Sequence, residues 1–188
     1  SALYVADLEN GELTYEKKHE LNIGAAFGFF DNRINIEADW YKRNNYDLIG
    51  PVTTQGIGGQ VTKFGNVASM ESSGFELTLS TVNINKKNFK WTTDFIYSHA
   101  ENRVTDLDNQ QRVIDLVAGT GFALEGYPVR SVFSIPYRGL NSEGIPTFLD
   151  QNGEVTSTGI YFQERDKIDF LEYSGTADPT DFGSFGNT

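Results

Sequence analysis

Lys18-His19-Glu20-Leu21-Asn22-Ile23-Gly24-Ala25-Ala26-Phe27-Gly28-Phe29-Phe30, then Asp31-Asn32-Arg33, then Ile34-Asn35-Ile36-Glu37-Ala38-Asp39-Trp40-Tyr41-Lys42 is the stretch whose period decides the fold. Residues two apart share a face of a strand. Leu21, Ile23, Ala25, Phe27 and Phe29 therefore fall on one side, and Asn22, Gly24, Ala26 and Gly28 on the other. After the turn, Ile34, Ile36, Ala38 and Trp40 form an apolar face opposite Asn35, Glu37, Asp39 and Tyr41. One face is wet and one is apolar.

The same unit recurs downstream. Phe75, Leu77 and Leu79 oppose Glu76, Thr78 and Ser80. A turn through Asn83 to Asn88 follows, and then Phe89, Trp91, Thr93, Phe95 and Tyr97 oppose Lys90, Thr92, Asp94 and Ser98. The spacing predicts hairpins over 18–42 and 74–98, long loops over 43–73 and 100–130, and a loop-rich stretch over 141–188. Short turns on one side and long polar loops on the other are the plan of an outer-membrane barrel, with turns toward the periplasm and loops outside. Phe29, Phe30, Phe89 and Trp91 beside the short turns, with Trp40, Tyr41 and Tyr97 toward the loops, form two candidate aromatic belts. The predicted fold class is all-β, an antiparallel transmembrane β-barrel segment whose wet face is the lumen. Alternation also fits a soluble or surface-anchored β-sandwich, such as a carbohydrate-binding module. There Leu21, Ile23, Phe27, Ile34, Ile36 and Trp40 would meet a second sheet.

Composition agrees with either plan. The 188 residues include 14 Phe, 9 Tyr and 2 Trp, yet mean hydropathy is −0.40. The longest apolar run, Ile23 to Phe30, is broken by Gly24 and Gly28 and falls far short of the ~20 residues of a spanning helix. A net charge of −11 argues against nucleic acid, whose phosphates require a basic footprint. With no Cys there is no disulfide, thiolate nucleophile or Cys-bound metal. The chain opens on Ser-Ala-Leu-Tyr with no charged-then-apolar leader and ends at Phe185-Gly186-Asn187-Thr188 with no closing strand visible. The expectation is a mature form or a piece of a longer protein.

Further along, Arg112 to Gly119 reads as a strand or one helical turn. Arg130 to Leu140 reads as a strand that Pro136 confines to an edge or bend. Phe148 to Val155 reads as a hairpin closed at Asn152-Gly153, and 159–186 as polar loop before another strand.

No constellation carries catalysis. His19 and His99 lie near strand ends without a motif, and GxSxG, HExxH, P-loop and Rossmann patterns are all missing. Gly56-Ile57-Gly58-Gly59 reads as a loop tip. Asp150 to Glu154 opens like a calcium loop, but Tyr161 stands at about the twelfth position, where a bidentate Glu is required. Asp106 and Asp108 read as solvated loop carboxylates. Glu37 and Asp39 point the same way from one strand, so they lack the opposing partner a glycosidase needs. No catalytic residue, metal site or cofactor is expected.

The wording of the strands is specific. Tyr15-Glu16-Lys17-Lys18, Leu21-Asn22-Ile23-Gly24 and Phe27-Gly28-Phe29-Phe30-Asp31-Asn32-Arg33-Ile34 follow one another. Next come Tyr41-Lys42, Tyr46-Asp47-Leu48-Ile49, Gly65-Asn66-Val67, and Ser73-Gly74-Phe75-Glu76-Leu77. Phe89-Lys90-Trp91, Asn102-Arg103-Val104, Gly126-Tyr127-Pro128-Val129, Asp150 to Gly153 and Gly186-Asn187-Thr188 complete the order. Over residues 13–188 this resembles the barrel of SusC/RagA-type TonB-linked outer-membrane transporters. Tyr15 stands where that family commonly has Trp, and Ser72-Ser73 where it has Asn-Lys. The resemblance implies part of a barrel of about 22 strands with a plugged lumen. It implies energisation through the TonB complex, outer-membrane lipid around the wall, and a SusD-like surface lipoprotein as lid. The implied cargo is an oligosaccharide or a peptide, and the implied location is the outer membrane of a Gram-negative envelope. If loop residues touch cargo, Tyr46, Asp47, Gln55, Asn66 and Tyr127 are the candidates, since ring faces with amide and carboxylate groups can hold sugar hydroxyls. Such a piece exposes an apolar face and sheet edges, and is expected to need its parent, detergent or self-association.

Overall fold

The computed structural model describes residues 10–53 and 62–188. The fold is all-β and antiparallel. Four long strands come first: β1 (Lys17–Phe29), β2 (Ile34–Thr53), β3 (Thr62–Lys86) and β4 (Phe89–Leu107). A one-turn helix α1 (Val113–Leu116) follows, then short strands β5 (Ser131–Ser134), β6 (Tyr137–Leu140), β7 (Pro146–Leu149), β8 (Val155–Thr156) and β9 (Glu172–Thr176). The last strand is β10 (Asp181–Asn187). Among the described residues the main sheet has the order β1-β2-β3-β4-β10, beside a β5-β9 pair and a β6-β7-β8 sheet.

The strands run past the bounds expected from alternation. β2 continues to Thr53, β3 begins at Thr62 and β4 continues to Leu107. The extra residues include apolar ones, among them Leu48, Ile49, Phe64, Val67, Met70 and Val104, but these are spaced out of alternation, so period two gives no clean signal there. At 20, 25 and 19 residues these strands exceed the ~9–11 that cross a bilayer. β10 departs further from expectation, since Asp181-Phe-Gly-Ser-Phe-Gly-Asn187 is a strand of the main sheet. Its two Phe are three apart, out of alternation. It is held by register with β4, Asp181 opposite His99 and Asn187 opposite Thr93. Pro136, which has no N–H to give a ladder, separates β5 from β6.

Two compact units can be described separately. The hairpin unit comprises Lys18–Asn45, Glu71–Asn102 and Pro179–Thr188. The loop unit comprises 10–17, Tyr46–Met70 and Arg103–Asp178.

In the hairpin unit the two faces sort as alternation requires. Cβ atoms built on Gly24 and Gly28 would run into Asp39 and Asn32, and one on Gly74 would meet the Tyr41 ring. Ser80 Oγ donates to Asp94 Oδ1 at 2.7 Å. Three of these contacts join residues of the polar face, and the Gly28–Asn32 approach joins that face to the β1–β2 turn. On the apolar face, Trp91 Nε1 and Thr93 Oγ1 donate to Asn187 Oδ1 at 3.1 and 2.7 Å. Every residue of β1 and of β10 is exposed, and Leu21, Ile23 and Phe27 are each more than half exposed. Among the described residues no second sheet covers this apolar face, an arrangement that does not favour the sandwich. Full burial of such a side chain would contribute about 1.5–3 kcal/mol, and the described residues leave most of that contribution unmade.

The β1–β2 turn is left-handed at Phe30, Asp31 and Asn32 (φ 55, 54 and 61°). Arg33 then ties it to β3: its guanidinium donates to Val82 O (3.1 Å) and Asn83 O (3.0 Å), and its own carbonyl accepts from Val82 N (2.8 Å). Among the described residues no helix is long and apolar enough to cross a membrane.

Candidate functional site

The loop unit holds the buried hydrophobic residues of the chain's described part: Val104, Val113, Leu116 and Phe133. They make residues 103–178 a folded body instead of a slack connection. α1 is short, but its ends are satisfied. Asp115 Oδ2 accepts from the Arg112 N–H at 3.2 Å, and the same carboxylate pairs with the Arg112 guanidinium, Nη2–Oδ1 at 2.8 Å. The first helical N–H groups, of Val113 and Ile114, donate to Glu164 O and Phe162 O at 3.0 Å each. At the β7–β8 hairpin Asp150 Oδ1 accepts from the N–H groups of Asn152 (2.9 Å) and Glu154 (2.8 Å). Gly153 takes the positive φ (80°) that closes the turn. This is the Asn-Gly turn expected from sequence.

These loop carboxylates are held as anions. The Arg112 guanidinium keeps the Asp115 carboxyl below its usual range. The backbone N–H of Glu154, followed by that of Asn152, does the same for Asp150. Glu164 is lowered by the N–H groups of Asp166 and Arg165.

Of the residues expected at a ligand site, Tyr46, Asp47 and Asn66 lie on the continuations of β2 and β3 in the loop unit. Asp47 has a left-handed backbone (φ 56°), and its carboxylate pairs with Lys17 Nζ at 2.7 Å. Asn66 is a bracket. Its Oδ1 accepts from Thr14 N (2.7 Å), and its Nδ2 donates to Thr14 O (2.9 Å) and to Asp47 O (2.6 Å). Asp47 and Asn66 are thus brought together, with their polar atoms engaged within the chain. The same segment is fastened by Glu16 Oε1, which accepts from Ile49 N at 2.9 Å, and by a Lys63–Glu12 ion pair at 3.4 Å. Gln55 lies outside the described residues.

Tyr127 belongs to another cluster. Gly126 N donates to Val104 O and Val104 N to Tyr127 O, both at 2.9 Å, fixing this corner to the end of β4. The Tyr127 ring packs edge-on against Phe133 (centroids 5.0 Å apart) and tilted against Tyr173 (5.1 Å), and Phe133 and Tyr173 meet at 5.7 Å. Sequence reasoning missed Phe133 and Tyr173. Each sits in a strand of only four or five residues, where alternation has too few positions to register. Their association through the pairing of Ser131–Ser134 with Glu172–Thr176 is visible only in the structure.

A family profile described as "TonB dependent receptor-like, beta-barrel" matches residues 2–138. TonB-dependent receptor P3 of Formosa agariphila is 26% identical over 182 residues, covering 84% of this chain and 18% of the relative. TonB-dependent receptor P26 of the same organism is 31% identical over 115 residues, covering 60% of this chain and 12% of the relative. Among solved structures, one titled "Structure of the RagAB peptide transporter" superposes with a TM-score of 0.73 at 24% identity, covering 97% of this chain and 20% of that one. The RagAB peptide importer in its "open-open" state gives 0.70 at 23%. At these identities the structural likeness bears on the fold. The chain spans about a fifth of the length of the relatives and structures it matches, or less.

Proposed function

Since this chain belongs to the TonB dependent receptor-like β-barrel family, we propose that it forms part of the wall and surface loops of an outer-membrane TonB-dependent importer of the SusC/RagA type. The observation that carries this reading is the bare apolar face of the hairpin unit. Leu21, Ile23, Phe27, Trp91 and Phe95 stand out from a sheet whose other face is polar and glycine-spaced. A single-layer sheet of that kind is stable where hydrocarbon replaces the second layer. In this role the segment is passive. Its outward face meets lipid, its inward face lines the lumen, and its loops meet cargo and lid; no step of catalysis is assigned to it.

The cargo would be an oligosaccharide or a peptide, admitted beneath a SusD-like surface lipoprotein and drawn in through the TonB complex, in a Gram-negative outer membrane. Tyr46, Asp47, Gln55, Asn66 and Tyr127 are the proposed cargo contacts, with unequal support. Tyr127 has the most, because its ring is braced by neighbours. Asp47 and Asn66 would act mainly by holding the segment that presents Tyr46.

Fractionation tests the reading. Antibody raised to this chain should detect, in outer-membrane fractions, a heat-modifiable band several times larger than 21.0 kDa. A 21.0 kDa band in a soluble fraction would refute the importer and restore the soluble binding module.

A further inference from the structure

We infer that the β5–β9 pair is a docking site for cargo of one class, an extended peptide, which adds to the open edge of β9 and seats a side chain against Tyr173 and Tyr127. The inference rests on the importer reading and makes its cargo choice.

Two independent observations meet at β9. The first is the edge. Among the described residues β9 has a single strand neighbour, β5, whereas β5 is also bridged at its first residue, Ser131 to Phe122. Glu172, Tyr173 and Ser174 are exposed, and the edge of β9 away from β5 is paired with no strand among the described residues. Pairing along such an edge supplies affinity whatever the peptide's sequence.

The second observation is the braced ring. Tyr173 lies directly opposite Phe133 in register. Phe133 is 5% exposed and Tyr173 44%, so one ring anchors and the other is presented. A bulge falls between this pair and the next, Val132 opposite Gly175, leaving Ser174 as the extra residue with its hydroxyl donating to Ser134 Oγ at 2.8 Å. Bulges bend the strand and re-aim the adjacent side chain. Tyr127 completes the support, fixed through its backbone to Val104. Ordering is thus complete before ligand arrives, and a preorganised tyrosine loses little conformational entropy on contact. A sugar could stack on the ring but would leave the strand edge unused. An extended peptide uses both.

The test employs the intact transporter in detergent, with a mixed pool of synthetic octapeptides and, separately, maltohexaose as probes. Peptides retained by the wild type are measured by mass spectrometry. Tyr173→Ala should lower retention at least tenfold while Tyr173→Phe keeps it. Analogues of a retained peptide N-methylated at alternate residues should be retained at least tenfold less by the wild type. This last arm decides even if Tyr173→Ala fails to assemble. Unchanged retention by an assembled Tyr173→Ala barrel, indifference to N-methylation, or retention of maltohexaose alone would each overturn the inference and leave the importer standing. Absence of TonB-dependent uptake of either probe by cells carrying the wild type would refute the importer reading, and this inference with it.

Discussion

Tyr41 lies across Gly74. A Cβ added at residue 74 would stand 2.5 Å from both Cε1 and Oη of the ring. The two residues come from neighbouring strands on the polar face of the hairpin unit, and the ring fills the space the glycine leaves. Gly74→Ala should force the ring aside, at about 1–3 kcal/mol for overpacking. If the contact is as described, Tyr41→Ala should make Gly74→Ala nearly neutral. A double-mutant cycle on the temperature of heat-modifiability in gels measures that coupling, and full additivity would contradict the contact.

Adjacent positions on β1 should answer oppositely to one substitution. Phe27→Lys places a charge on the apolar face and should cost up to about 2–4 kcal/mol in a bilayer, less near an interface. Ala26→Lys points to the polar face and should fold in comparable yield to wild type. Folding into vesicles, followed by protease protection, reads both. Equal losses at the two sites would reject the face assignment.

Asn66 makes a sharper claim than its exposure suggests. Asn66→Asp removes both Nδ2 donors and sets a carboxylate against the carbonyl oxygens of Thr14 and Asp47. Loss of the part-buried bond to Asp47 should cost about 1–3 kcal/mol locally. Protease cleavage within residues 10–17 should rise, with the Tyr127 cluster undisturbed. A cleavage pattern identical to wild type would show that the bracket does not hold this segment.

The loop carboxylates set an acid limit. For Asp115, Asp150 and Glu164 the folded value lies below the ordinary 3.8 or 4.5. A depressed folded value means their contribution is complete above the ordinary value and is lost as pH falls through the lowered one. Amide hydrogen exchange at Asn152 and Glu154 should therefore keep its protection from neutrality to about pH 5 and lose it below 3.8. In Asp150→Asn the acid loss should vanish, with weaker protection throughout. Protection lost already near pH 6 would assign it to another group.

Much of the hairpin unit was legible because a sheet with unlike faces writes its period into the chain: Leu21 to Phe29 and Ile34 to Trp40 could be sorted by counting in twos. β10 was not legible, since Phe182 and Phe185 break that count and its place depends on partners in β4. The Asp150–Gly153 turn was readable because its chemistry is local. The Tyr127–Phe133–Tyr173 cluster was hidden for the reverse reason. Its members are brought together by the β5–β9 pairing and by the bond of Val104 to Tyr127, neither of which leaves a trace in neighbouring residues. Asp47 and Asn66 were visible as polar loop residues, but their mutual bond needed coordinates.

β4 and β10 are neighbours in the sheet, yet residues 108–180 intervene between them. Closing so long a connection adds little equilibrium cost, about 0.6 kcal/mol per doubling of length. Its effect falls on rate, because distant pairings form late. The small core around Val113, Leu116 and Phe133 shortens the effective tether when it forms first, which makes the surface loop a clock for completing the sheet. A cavity such as Leu116→Ala would then delay the arrival of β10 and lower the yield of inserted barrel, although residue 116 touches neither lipid nor lumen in this scheme.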